Sequence, residues 1–87
     1  MLESNEKITS IYMPLLDEGT PTIRPVDAEI LGENVYRVLP SKEDVLDERG
    51  IPIDEEWQFL PGAKVRCRIE TDWLVDNPLV AYEQIED

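Results

Sequence analysis

VDAEILGENVYRVL, residues 26–39, is the stretch that decides the fold. Val26, Ala28 and Ile30 alternate with Asp27 and Glu29, the two-residue period of a strand with one face buried. VYRVL, residues 35–39, is again β-branched and aromatic. GEN, residues 32–34, lies between them. Two β-patterned runs joined by three turn-type residues predict a hairpin. Pro40 ends the second run, because it has no N–H to give to a ladder.

The same period recurs on both sides of the hairpin. In KVRCRIE, residues 64–70, Val65, Cys67 and Ile69 alternate with Lys64, Arg66, Arg68 and Glu70. The pattern predicts a long strand reaching Trp73, with the first three side chains inward and the charges outward. Upstream, ITSIYMPLL, residues 8–16, reads as a strand whose end Pro14 places at a sheet edge or a bulge. DEGT, residues 17–20, is a turn. Ile23 is out of phase with Val26 and Ala28, which predicts a bulge or kink near Arg24–Pro25. Trp57 and Phe59 alternate around Gln58 and supply large side chains to plug a small core. Pro61–Gly62 and residues 76–78 are further turns, and residues 79–85 make a closing strand.

Residues 41–56 break the pattern. Seven acids stand against Lys42 and Arg49. SKEDVLDE admits one short helix with Ser41 as N-cap and Val45 and Leu46 as anchors, inside an otherwise mobile loop ended by Gly50 and Pro52. Residues 1–7 are polar and aperiodic and are expected to fray. Five or six short strands with no long helix predict a mostly-β chain folded as a small antiparallel barrel or sandwich, one domain over residues 1–87.

Composition narrows function. The chain has 87 residues and a net charge of -12, from 20 Asp and Glu against 8 Lys and Arg. Nucleic-acid affinity comes largely from cations on phosphates, so direct nucleic-acid binding is disfavoured. Anionic membranes are disfavoured for the same reason. No apolar run reaches the length of a span and no secretory signal is visible, which gives a cytoplasmic expectation. The chain has no histidine. The commonest general base and the commonest metal ligand are therefore missing, and no enzyme activity or cofactor is expected. Asp44, Asp47 and Glu48 near Gly50 do not have the spacing of a calcium loop, so no metal site is expected either. Cys67, the single cysteine, alternates with charges and reads as a small inward hydrophobe. The cations at Lys64, Arg66 and Arg68 match acids of the same period at Asp27, Glu29 and Glu83, which predicts a cross-strand charge ladder.

Several segments share a pattern: LLDEGT at 15–20, RPVDAEILG at 24–32, YRVL at 36–39 and DEEWQFLPGAKVRC at 54–67. Together they resemble a group of small, uncharacterised bacterial proteins. The resemblance covers roughly residues 8 to 83. It implies an SH3-like β-barrel and a bacterial origin, and it carries no reaction and no functional residues.

The functional expectation is a non-catalytic protein-binding domain. A strongly acidic surface steers association with a basic protein, as an immunity protein or antitoxin-type inhibitor does. The expected contacts are Asp44, Asp47, Glu48, Asp54 and Glu55 in the acidic segment, with the apolar Trp73, Leu74 and Val75. The alternative is an SH3-like housekeeping adaptor for a peptide or regulatory element, which calls for a groove of clustered aromatics. Self-association through an unclosed barrel edge is open to either.

Overall fold

The alternation in residues 26–39 becomes two paired strands in a computed structural model of the chain, which describes residues 7–85. They are β2 (Thr22–Gly32) and β3 (Val35–Val38). The hairpin between them turns through Asn34, whose φ of 62° is a left-handed value that Asn tolerates. The other strands are β1 (Ile8–Leu15), β4 (Lys64–Ile69) and β5 (Leu79–Ile85). The five close into a barrel in the order β1-β2-β3-β4-β5, the small SH3-like barrel expected from the sequence. Successive strands pair antiparallel. Five is odd, so β5 runs in the same direction as β1, and the pair that closes the ring is parallel, through Tyr12 and Val80.

Inward positions of every strand meet in one core. Ile11, Met13, Val26, Ala28, Val38, Val65, Cys67 and Ala81 are buried there. Trp57 and Phe59 plug it as expected, but from a crossover between β3 and β4 and not from a strand. Trp57 forms a single bridge with Leu15 at the end of β1. Leu16 N donates to Glu56 O at 2.7 Å and Gln58 N to Pro14 O at 3.0 Å. Pro14 has no N–H to return to Gln58, so pairing along this edge goes no further.

Three local expectations are corrected. The Arg24–Pro25 bulge is absent, since β1 and β2 pair without a shift from Ile8↔Glu29 to Leu15↔Thr22. Arg24 takes the inward phase instead, and its guanidinium lies 6.0 Å from the Trp57 ring centroid. Ile23 stays on the outer face. Residues 41–56 contain no helix, within the expectation of at most a short one, but Val45, expected as an anchor there, is exposed. The anchor is Ile51, fully buried in the core cluster. β4 ends at Ile69 and not at Trp73, and Ile69 is 57% exposed beyond the core. Fraying was expected for residues 1–7, of which 1–6 lie outside the described residues.

The crossover is tied down, which its composition hides. A bridge joins Leu46 to Pro52. Ser41 N donates to Gly50 O and Asp47 N to Ile51 O, both at 2.9 Å. Gly50 sits at φ 87°, and a Cβ there would come within 3.1 Å of Pro40 Cβ, so the turn admits little but glycine. Truncating a buried Trp of this kind typically costs about 3–5 kcal/mol. The segment carrying Trp57, Phe59 and Ile51 is therefore part of the fold and not an appendage.

Candidate functional site

The crossover carries seven of the twenty acids, but several serve the fold. Arg49 holds the centre of a small network. It contacts Asp47 Oδ2 at 2.7 Å and Glu56 Oε2 at 2.9 Å. Hydrogen bonds from Arg49 hold both carboxyls below their usual range. Two carboxylates that lie together and are both kept ionised lack the raised partner a general acid requires. Glu55 is equally committed. It accepts from Trp57 Nε1 at 2.9 Å and pairs with Arg24 at 3.0 Å. Of the acids expected as contacts, Asp47 and Glu55 thus act inside the molecule. Asp44, Glu48 and Asp54 are exposed, and they enter no ion pair or side-chain hydrogen bond among the described residues.

The basic stripe of β4 is neutralised where it stands. Arg66 meets Glu83 of β5 at 3.2 Å, a rung of the expected ladder. Arg68 pairs with Glu70 at 3.1 Å and lies 4.5 Å from the ring centroid of Tyr82. Asp27 and Glu29 cannot reach this stripe because β3 lies between β2 and β4. They pair with Lys42 at 3.1 Å and Arg37 at 3.6 Å. Each described arginine, and Lys42, therefore has a carboxylate partner. Among the described residues, Asp17, Glu18, Glu33, Asp44, Glu48, Asp54, Asp72 and Asp76 have none. The charge left over is acidic.

Trp73, Leu74 and Val75 lie in the loop from β4 to β5, outside any strand. Trp73 is half-buried, and its Nε1 donates to Glu70 Oε1 at 2.7 Å. That bond, with the one from Arg68, holds the Glu70 carboxyl below its usual range. Leu74 projects fully into solvent, and Val75 is 39% exposed. With Asp72 they form one wall of a groove of about 440 Å³, whose other wall is Pro21, Thr22 and Ile23. Sequence reasoning missed this second wall. Its signal was present in Ile23, an outward isoleucine on a strand, which calls for a cover as readily as for a bulge. No hydrogen bond or ion pair among the described residues joins this loop to the crossover.

Three grooves each hold a single aromatic: Trp57, Tyr82 or Trp73. Cys67 is buried, and desolvation pushes its thiol up to about 12. Among the described residues, no three Cys, Asp or Glu side chains converge as metal ligands. No described helix is long and apolar enough to cross a membrane. Comparisons with protein-family models, with curated proteins and with solved structures gave no match.

Proposed function

We propose that this chain is a non-catalytic binding domain for a basic protein, of the kind that caps or inhibits its partner, as immunity proteins and antitoxins do. The observation that carries this reading is the distribution of charge. The arginines are spent on internal pairs, while unpaired carboxylates remain on the crossover and on the loops at the barrel ends. Such a surface accelerates encounter with a positively charged protein and repels nucleic acid and anionic lipid. The state of the titratable groups supports a binding role: Asp47 and Glu56, which share Arg49, are both held ionised, and the Cys67 thiol is buried and pushed up by desolvation. An adaptor that reads peptides through clustered aromatics has less support, because no groove described above gathers two of them.

Affinity capture from the native host with the tagged chain, identified by mass spectrometry, tests the reading. The expected partner is a basic protein whose affinity falls as ionic strength rises. A partner of acidic or neutral character, or binding indifferent to salt, overturns it.

A further inference from the structure

We propose that the groove between residues 21–23 and 72–75 receives an apolar side chain of the partner, presented between flanking lysine or arginine residues. This rests on the reading of the chain as a binder of a basic protein, and it assigns that partner's contact to one place.

Three features of the groove point to this occupant. First, it is apolar and open. Leu74 has no cover at all and Val75 is covered only in part, and an exposed leucine beside a second apolar wall is the arrangement a partner's side chain completes. Second, one wall is fixed before any partner arrives. Glu70 accepts from the Trp73 indole at 2.7 Å and from Arg68 at 3.1 Å, and the opposite wall is carried by a strand of the barrel. A preorganised wall loses less freedom on binding. Third, the surrounding charge has one sign. Asp72 lines the groove, Asp76 follows Val75 in the chain, and Asp17 and Glu18 belong to the turn that leads into Pro21. None of the four has a cation among the described residues. Charge complementarity therefore selects a basic surround for the incoming apolar group. It also argues against a second copy of this chain, because each copy carries -12 and would bring acids against acids.

The test uses the full chain labelled with ¹⁵N and three synthetic peptides. The first alternates Leu with Lys and Arg, the second has Ser in place of Leu, and the third has Glu in place of the cations. Binding is followed by amide shifts and by the Trp73 indole N–H. The first peptide is expected to move the amides of residues 22, 23 and 72–75 and the indole signal. The serine peptide should bind about tenfold more weakly, and the glutamate peptide should not bind. Leu74→Ala should weaken the first peptide by about tenfold. Because Leu74 touches nothing in the fold, an unchanged spectrum elsewhere shows that the variant is intact. Asp72→Asn combined with Asp76→Asn should flatten the salt dependence. Equal binding of the serine peptide, shifts confined to residues 43–56, or no binding of the first peptide overturns the assignment. Shifts at 43–56 would leave the basic-partner reading standing; a captured partner without basic character would remove that reading whatever the peptides do. Dimerisation that Leu74→Ala abolishes would show that a second copy fills the groove, and would also overturn it.

Discussion

A single side chain can be read correctly for the wrong neighbourhood, and Arg24 shows how. Ile23, taken as an inward residue, is out of phase with Val26 and Ala28, so the phase of β2 appeared broken at Arg24–Pro25. The phase is intact: Arg24 follows the inward set because Glu55 neutralises it and the face of Trp57 accepts it at the barrel end. The sequence does not reveal that pairing, because Glu55 and Trp57 lie more than thirty residues away. Cys67 was legible, since alternation alone placed it inside. Its burial and its raised thiol lead to a residue-scale prediction. At pH 8 a thiol-specific disulfide reagent should label the folded chain at least about a hundredfold more slowly than the chain in denaturant, because reaction must await opening of β4. Equal rates would show that β4 opens freely.

At the scale of elements, the sequence spoke clearly wherever period two was sustained. The bounds of β1, β5 and the β2–β3 hairpin agree with the pattern to within a residue or two. The crossover was illegible for a physical reason. Ile51 is one apolar residue between a glycine and a proline, and an isolated anchor has no period to betray it. Nor does composition tell which of seven acids an arginine will claim. The Arg49 network carries a pH dependence whose sign is fixed. Asp47 and Glu56 titrate below their ordinary range in the fold. Their contribution is therefore complete above that range and disappears as pH falls through the lowered values. Arg49→Ala should lower the urea midpoint at neutral pH, and the gap from the parent chain should close as the solution is acidified through the carboxylate range. A gap that stays constant down to the lowest pH would mean that Arg49 acts through packing alone.

For the whole molecule, two opposing electrostatic effects meet. The surface ion pairs favour the fold, each by about 0–1 kcal/mol, and salt weakens them. The excess of twelve negative charges opposes the compact state, and salt relieves it. With eight described carboxylates unpaired, repulsion outweighs attraction. Tm should rise between ionic strengths of about 0.01 M and 0.15 M, over which the screening length falls from about 30 to about 8 Å. A gain of ~1 kcal/mol in a domain of this size corresponds to about 4–8 °C. A Tm that falls with salt would show that the internal pairs dominate. The net charge was legible from composition, whereas its unequal distribution appeared only once each arginine had found its carboxylate.

The parallel seam has a mechanical consequence. Because β1 and β5 run side by side in one direction, the chain enters β1 and leaves β5 at opposite ends of the barrel. Tension applied through Ile8 and Ile85 therefore pulls these two strands along their length in opposite senses. The seam is loaded in shear, so its contacts must yield together and not one at a time as in an unzipping hairpin. The direction of pull decides how firmly the ring resists, and the odd strand count sets that direction.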